Sequence, residues 1–303
     1  MSLYLKYRPS TFDDVVGNSE VVSSLSNMVK DRETCPHVFL FHGPTGCGKT
    51  TIGRIVAREL GCKGNDLREL DTADFRGIDT IREIRKQSQF VPLEGDVRVW
   101  ILDECHKLTG DAQNALLKIL EDTPKHVYFI LCTTEPNKLL STIRGRCSQF
   151  QLKTLAEKQM MFLLRKVVKG EDTSMARVVY EQIVQDSLGH PRNALQILDQ
   201  VLRVEGDERL EVAKKSAEEQ SQSIELCRAL LSRKGWKEIS QILSGLKDQE
   251  PEGIRRHVLG YCESVLLKSD NDRAAAIIEE FYEPLYNIGF PGLVYCCYSV
   301  VKS

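Results

Sequence analysis

Short apolar runs alternate with amphipathic segments along the first half of the chain. Apolar runs bounded by polar residues predict buried strands over 38–41, 67–71, 97–102 and 127–131, with a last short strand near residue 150. Segments 19–29, 51–60, 77–90 and 109–121 carry apolar residues at helical spacing. Strands that alternate with helices predict a parallel, doubly wound α/β sheet up to about residue 152.

The pattern changes in the second half, where only helical spacing remains. Helices are predicted over 157–168, 174–186, 191–201, 224–231, 236–246, 251–268, 272–286 and 291–301. Gly189-His190-Pro191 breaks the chain before the third of them, and the charged stretch 205–222 predicts a helix start or a domain boundary. We therefore expect an α/β domain over 1–153, a small helical lid over 154–204 and an all-helical C-terminal domain over 205–303.

Composition is that of an ordinary globular protein. The chain has 303 residues, 42% of them hydrophobic and 28% charged, with a net charge of −2. This balance gives no overall basic field for nucleic acid, although it allows a local basic channel. No apolar run approaches the roughly 18 residues of a membrane span, and no signal-peptide core is present, so a cytoplasmic protein is expected.

The chain contains ten cysteines, but their spacing does not suggest a metal site. Cys296 and Cys297 are adjacent, the other eight stand apart, and no C-x-x-C pair occurs. Free thiols in a reducing compartment are therefore favoured over zinc ligands or disulfides.

The first strand leads into a phosphate-binding loop. Residues 43–50 fit G-x-x-x-x-G-K-T between a predicted strand and a predicted helix, where backbone N–H groups and the helix dipole converge on a polyphosphate. Lys49 is expected to reach the β- and γ-phosphates, and the Thr50 hydroxyl to ligate Mg²⁺. The predicted nucleotide contacts are Gly43, Pro44, Thr45, Gly46, Cys47, Gly48, Lys49, Thr50 and Thr51.

Two later strands end in residues that suit hydrolysis. The strand over 97–102 delivers Asp103 and Glu104, of which the first can support Mg²⁺ and the second can polarise the attacking water. Alone, this pair also fits two surface carboxylates in a turn. The strand over 127–131 ends near Thr134, whose hydroxyl can sense the γ-phosphate.

Two other segments allow two interpretations each. Arg8 precedes a proline, which predicts an extended start to the chain, and Ser19 is the expected cap of the helix after it. This arm either folds over a nucleotide base or serves as a packing segment. Arg144 and Arg146 lie either in a solvated turn or at a surface that offers charge to a neighbouring subunit.

Seven motifs, taken together, resemble a known family. They are Tyr7-Arg8-Pro9 with Phe12, the loop at 43–50, Asp103-Glu104-Cys105-His106, Gln113-Asn114-Ala115-Leu116-Leu117-Lys118, Thr133-Thr134-Glu135-Pro136, Arg146-Cys147 and Gly189-His190-Pro191-Arg192-Asn193-Ala194-Leu195. This set resembles the AAA+ ATPase subunits of sliding-clamp loaders, above all bacterial DNA polymerase III gamma/tau subunits and then replication factor C small subunits. The likeness spans most of the chain, and its specific motifs lie within residues 4–200.

The resemblance implies a role for each matching position. Lys49 and Thr50 bind phosphate and Mg²⁺, Asp103 supports the metal, and Glu104 is the catalytic base. The implied sensors of the γ-phosphate are Thr134 and Arg192, and the implied trans-acting arginine finger is Arg146. The implied adenine contacts are Tyr7, Arg8, Val15 and Val16. The implied switch residue is Gln113. The implied fold is a P-loop AAA+ domain followed by a three-helix lid and an all-α collar that holds subunits in a ring.

The resemblance also implies partners and a reaction. ATP with Mg²⁺, and no zinc, would drive opening, placement and release of a polymerase clamp on primer–template DNA during replication. The subunits would form a homo- or hetero-oligomeric ring or spiral, expected to be pentameric, in a bacterial or phage-infected cytoplasm. Candidate DNA contacts, each of which also fits an ordinary solvated position, are Arg76, Arg82, Arg85, Lys86, Lys107 and Thr109.

The sequence departs from the family pattern in three places. Gly145 stands where the family has a serine before the arginine finger, so a looser backbone is expected there. A four-cysteine zinc module after the P-loop helix is missing, with only Cys62 in that region. A tau-type C-terminal extension is likewise not expected, and the compact form without zinc suggests a phage-encoded or otherwise minimal version.

Two other functions remain open at this point. One is a different AAA+ motor, a branch-migration helicase or a protein unfoldase. An unfoldase is expected to carry an aromatic pore loop, whereas residues 90–93 fit the end of a helix. The other is an adaptor that binds nucleotide without hydrolysis, against which intact Lys49, Glu104 and Arg192 argue.

Overall fold

The computed structural model describes residues 2–206, 208–220, 222–247, 249, 251–267, 269–286 and 288–302. Within these ranges the chain forms two compact units. An α/β unit comprises residues 4–159 with 190–192, and a helical unit comprises residues 2–3, 160–189 and the described residues from 193 onward.

The α/β unit is built on a parallel sheet. Its strands are β1 (Val38–His42), β2 (Leu67–Asp71), β3 (Arg98–Asp103), β4 (Val127–Thr133) and β5 (Ser148–Gln151), in the order β2-β3-β4-β1-β5. In the register, His42 lies level with Thr133, and Asp71 lies level with Asp103. The carboxyl ends of these four strands therefore meet at one edge of the sheet, next to the position where β1 is inserted between β4 and β5.

Helices cover both faces of this sheet. They are α2 (Ser19–Lys30), α3 (Lys49–Glu59), α4 (Ile78–Ser88), α5 (Gly110–Glu121) and α6 (Ser141–Arg144), whereas α1 (Leu3–Lys6) is a single helical turn at the start of the chain. Phe39 and Phe41 pack in the core with α2 and α3, whereas Val38 and Leu40 pack in the core with α4, α5 and α6. Both faces of the strand are buried, which explains its unbroken apolar run.

The described part of the second unit is helical. Its elements are α7 (Glu157–Gly170), which begins in the first unit, α8 (Arg177–Ser187), α9 (Pro191–Val201), α10 (Glu208–Gln220), α11 (Gln222–Leu231), α12 (Trp236–Gly245), α13 (Pro251–Leu266), α14 (Asp272–Glu280) and α15 (Phe290–Lys302). Two buried ion pairs brace it. Arg228 donates to Asp186 at 2.6 Å, and Arg255 donates to Glu252 at 2.8 Å.

These elements confirm the predicted fold class, with local differences. Within the charged stretch 205–222, residues 208–220 form α10, which packs on α8 with Ala213 buried and is anchored where Arg209 donates to the Ser174 carbonyl at 2.5 Å. The sequence predicted a helix start or a domain boundary there, but a mostly polar helix has a weak periodic signal, so it did not give the extent of α10. Residues 207, 221 and 268, which belong to predicted segments, lie outside the described residues.

The start of the chain also differs from its prediction. Residues 3–6 form a helical turn, because the proline restricts only Arg8, and Tyr7–Pro9 lies outside any helix. Ser19 is the first residue of α2 rather than its cap. Asn18 takes the cap position with φ 51°, and its side chain pairs with the Lys153 backbone at 2.8 and 3.1 Å.

Two further properties concern the whole described chain. The helices that the structure describes are all too short or too polar to cross a membrane. All ten cysteines are free thiols, and burial raises the pKa of most of them, including Cys47 in the phosphate-binding loop.

Candidate functional site

The loop between β1 and α3 has the backbone of a phosphate cradle. A Cβ on Gly43 would lie 2.2 Å from the Leu152 carbonyl oxygen, so a side chain is excluded there. Gly48 has φ 100° at the start of α3, a conformation that glycine adopts without strain. The glycines thus let the chain turn sharply and direct backbone N–H groups, with the positive end of the helix dipole, into one concavity.

Lys49 holds a buried positive charge in this concavity. Its side chain is almost fully buried, and Nζ donates to the carbonyls of Gly43 and Pro44, each at 2.9 Å. Among the described residues no carboxylate forms an ion pair with it. A buried cation paired only with carbonyls favours an anion nearby, and this arrangement suits a phosphate group.

Thr50 and Asp103 join the loop to the end of β3. The Thr50 hydroxyl donates to Asp103 Oδ2 at 2.6 Å, and the Glu104 backbone N–H donates to Oδ1 at 3.0 Å. A hydroxyl and a carboxylate oxygen are the hard ligands that Mg²⁺ prefers, and it usually keeps several waters beside one or two such groups. This donor set fits the predicted metal.

Glu104 is held just beyond the strand in an unusual conformation. Its φ is 49°, and its carbonyl accepts a hydrogen bond from the Thr72 hydroxyl at 2.8 Å. The carboxylate lies 3.4 Å from the Thr134 hydroxyl and 3.4 Å from His106 Nδ1. Burial lowers the pKa of His106. A left-handed residue other than glycine at a strand end often marks an active site.

Lys49, Thr50, Asp103 and Glu104 line one cavity of about 380 Å³ at the carboxyl edge of the sheet. The structure brings Lys49, Asp103, Glu104 and Arg192 together there with the loop and Arg8. The cavity is also lined by residues that the sequence did not indicate, namely Arg54, Glu69, Leu70, Asp71 and Ile101. Because β2 lies beside β3, the parallel order of the strands could have predicted a contribution from the end of β2.

Arg54 and Glu69 form a bidentate ion pair in the cavity wall. The guanidinium donates from Nε and Nη2 to the two carboxylate oxygens, both at 2.5 Å. This bidentate contact ties α3 to β2 and raises the pKa of Arg54.

Several predicted site residues do not line the cavity. Val15 packs against the core, while Tyr7 stacks with the Lys6 ammonium, and Val16 is half-buried. Buried Gln113 donates to the Leu108 and Lys138 carbonyls at 3.2 and 3.3 Å and accepts from the Leu140 N–H at 2.9 Å.

Arg146 lies outside the cavity as well. Its guanidinium donates to Glu121 at 2.6 Å and to the Thr142 carbonyl at 3.1 Å. Gly145, the departure from the family pattern, has φ −66°. An ordinary helical conformation of this kind accepts any residue, so the glycine is not required there.

The candidate DNA contacts lie near α4 and α5. Arg82 and Arg85 line a groove of about 290 Å³ between these helices, where Asp111 and Lys118 also lie. Arg82 pairs with Asp79 at 2.8 Å. The remaining candidates are exposed, and they are Arg76, Lys86, Lys107 and Thr109, of which Thr109 caps α5.

The fold and the cavity define the class of protein. A parallel sheet that carries a P-loop after one strand and an Asp-Glu pair at the end of another forms the core of AAA+ P-loop ATPases. The RuvB Holliday junction branch migration motor of Thermotoga maritima matches with a TM-score of 0.59 and 21% identity, over 74% of this chain and 79% of that one. At this identity the likeness shows the fold alone.

Sequence comparison identifies the family. Residues 65–156 match the family model of the DNA polymerase III delta subunit. The gamma/tau subunit of DNA polymerase III from Mycobacterium tuberculosis is 38% identical over 225 residues, and the tau subunit from Bacillus subtilis is 36% identical over 227 residues. These alignments cover 67% and 68% of this chain.

The chain belongs to the clamp-loader AAA+ subunits of the DNA polymerase III gamma/tau type, which confirms the resemblance seen in its motifs. It aligns with only part of these relatives, 39% of the Mycobacterium tuberculosis protein and 40% of the Bacillus subtilis protein.

Proposed function

We propose that this chain is an ATP-hydrolysing subunit of a sliding-clamp loader that acts in the cytoplasm. The observation that carries the proposal is the meeting of Lys49, the Thr50–Asp103 pair and Glu104 around one cavity, in a chain similar to gamma/tau subunits. Each of these groups is needed to bind and cleave a nucleoside triphosphate.

The chain's own groups have distinct tasks in this reaction. The loop amides and Lys49 bind the phosphates, and Thr50 with Asp103 would hold Mg²⁺, which supplies positive charge to the phosphate oxygens when bound. Glu104 accepts a proton from the attacking water, and Thr134 orients its carboxylate. Arg192 lines the cavity, from which position it neutralises charge on the γ-phosphate.

We further propose that Arg146 completes the site of a neighbouring subunit. In the register Ser148 lies beside Phe39, so Arg146 precedes the start of β5, while Gly43 follows the end of β1. At about 3.3 Å per strand residue, the P-loop begins roughly 13 Å beyond the level of Ser148. Arg146 is therefore at the opposite edge of the sheet from its own cavity.

The present partner of Arg146 does not prevent such a role. Its pair with Glu121 is about two-fifths exposed on both sides, and an exposed ion pair contributes about 0–1 kcal/mol. A neighbour's triphosphate offers more negative charge and can displace this contact. ATP would then favour association of the subunits, and hydrolysis would weaken it.

An apolar surface on the α/β unit suits a protein partner such as the clamp. Phe90, Val91 and Leu93 are 60%, 71% and 76% exposed. Arg98 donates to the carbonyls of Phe90 and Val91, both at 3.2 Å, and Asp66 accepts from the Leu93 N–H, so the segment is firmly held. Rigid, exposed apolar side chains commonly mark a protein interface.

We propose that DNA contacts lie at the starts of α4 and α5, with the exposed basic residues named above. A clamp loader must bind any sequence, so contacts to the phosphate backbone suffice.

For the domains, we propose a boundary near residue 153, a lid over 154–204 and a collar over 205–303.

Steady-state ATP hydrolysis tests this function. The chain is assembled with its companion subunits, and the rate is measured with and without primed DNA and the clamp of the same organism. We expect each to raise the rate, and Lys49→Ala to abolish nucleotide binding. A rate that neither DNA nor clamp changes would contradict the clamp-loader assignment.

A further inference from the structure

His106 occupies an unusual position beside the candidate catalytic centre. It lies in the turn after Glu104, and its side chain is only 3% exposed. Nδ1 is 3.1 Å from the Thr133 hydroxyl and 3.4 Å from Glu104 Oε2, whereas Nε2 is 3.5 Å from Glu135 Oε1. One buried ring therefore bridges two carboxylates that follow neighbouring strands.

The bridge acts on the movable part of Glu104. The backbone of this residue is fixed on both sides, by Asp103 at its N–H and by Thr72 at its carbonyl. Its carboxylate is freer, since it is 30% exposed and its contacts with Thr134 and His106 are both long, at 3.4 Å. The imidazole thus contacts the Glu104 carboxylate in one of its rotamers, and the carboxylate can turn away from the ring into another rotamer.

The contacts continue from His106 toward α6. Glu135 pairs with the Lys138 ammonium at 2.9 Å, and the Lys138 carbonyl accepts from Gln113 at 3.3 Å. The amide oxygen of Gln113 accepts from the N–H of Leu140, the residue that precedes α6. A series of polar contacts therefore runs from Glu104 through His106, Glu135 and Lys138 to the short helix before Arg146.

We propose that His106 is a positioning residue that sets the rotamer of Glu104 and couples it, through Glu135 and Lys138, to the segment that carries α6 and Arg146. The inference rests on the proposed ATP hydrolysis. When Glu104 turns toward the water in its cavity, the ring keeps only its contacts with Thr133 and Glu135, and the loop that supports α6 responds. Each subunit then links its own site to the arginine that it offers to the next.

Substitutions at His106 separate this role from simple packing. Asparagine carries an amide near the Nδ1 position, and glutamine carries one near Nε2, while His106→Ala has neither. His37 gives a matched control, because it is half-buried, donates one hydrogen bond from Nδ1 to the Val127 carbonyl at 2.8 Å and stacks on Tyr128 at the other edge of the sheet.

Kinetics of the assembled loader with primed DNA and clamp give the first readout. We expect His106→Ala to lower kcat by about tenfold to a hundredfold, a range typical of residues that orient a reacting group. KM for ATP and the affinity of the chain for a fluorescent ATP analogue should stay within about twofold, because His106 does not line the cavity. His106→Asn should recover part of kcat, and His37→Ala should lower the melting temperature without changing kcat.

A double-mutant cycle and hydrogen exchange test the coupling. Glu135→Gln should lower kcat on its own and cause little further loss in the His106→Ala chain, since both changes interrupt one series. The rate of amide hydrogen exchange within residues 136–146 should rise in either variant. This measurement does not depend on ATP turnover.

Contrary results are equally clear. The positioning role would be overturned if the effects of the two substitutions on kcat were additive, or if kcat were unchanged in His106→Ala. It would also be overturned if His106→Asn lost as much nucleotide affinity and as much melting temperature as His106→Ala. A wild-type loader that hydrolyses no ATP would overturn the proposed function together with it. Normal wild-type turnover that His106→Ala leaves unchanged would overturn this inference alone.

Discussion

The buried carboxylate of Asp66 gives a prediction whose size can be worked from the structure. It accepts hydrogen bonds from the N–H groups of Leu93, Glu94 and Gly95 at 2.7–3.0 Å, and Arg98 donates to it at 3.3 Å. Burial opposes its ionisation, but these donors prevail and lower its pKa from 3.8 to about 2. The carboxylate thereby fixes the segment that presents the exposed apolar surface.

The lowered pKa corresponds to roughly 2 kcal/mol of folding free energy, at about 1.4 kcal/mol per pKa unit. Because the folded-state pKa is depressed, this stabilisation is present above pH 4 and is lost as the pH falls toward 2. In Asp66→Asn, an amide N–H₂ would face groups that can only donate. We therefore expect the variant to lose roughly 2 kcal/mol at pH 7 and the difference from wild type to shrink below pH 4.

Tryptophan fluorescence during urea unfolding measures this difference. Trp100 on β3 is buried in the α/β unit, and the second tryptophan, Trp236, can be replaced by phenylalanine so that only this unit is observed. Asp31→Asn is the control, because Asp31 is exposed and has a lowered pKa from local contacts with Thr34 and Glu33. A loss at pH 7 below about 0.5 kcal/mol, or one that is the same at pH 3, would refute the reasoning.

Three further predictions concern the site. Arg146→Ala should retain ATP binding and lose DNA-stimulated turnover by about 10³-fold or more, as measured by nucleotide titration and steady-state kinetics; loss of binding would place the arginine in its own cavity. Glu104→Gln should keep nucleotide affinity and reduce single-turnover hydrolysis by about 10²–10⁴-fold, and an unchanged rate would remove it as the base. Gly43→Ala should abolish nucleotide binding or folding, because its Cβ would meet the Leu152 carbonyl at 2.2 Å, and a titration with normal affinity would show that the loop can yield.

The sequence was most informative where chemistry and local geometry coincide in a few consecutive residues. The loop at 43–50 and the pair at 103–104 were predicted because each follows a strand whose two faces are buried, so the apolar run indicates where the strand stops. Arg54 and Glu69 were not predicted, since their pairing depends on β2 lying beside β3. A contact between residues of opposite charge that are far apart in sequence leaves no periodic signal in either segment.

The parallel sheet accounts for both results. Every strand of such a sheet ends at the same edge, so polar residues that follow different strands meet without any long-range signal in the sequence. Lys49 from the loop after β1 lines one cavity with Glu104, which Thr134 contacts from the end of β4. What the strand ends do not determine is how these groups are held relative to one another. In the proposed coupling, that depends on His106 and Gln113, whose burial resembles that of core residues until the contacts around them are known. The groups that control the timing of hydrolysis should therefore be sought among buried polar residues one contact away from the cavity, where substitution changes kcat while nucleotide affinity is preserved.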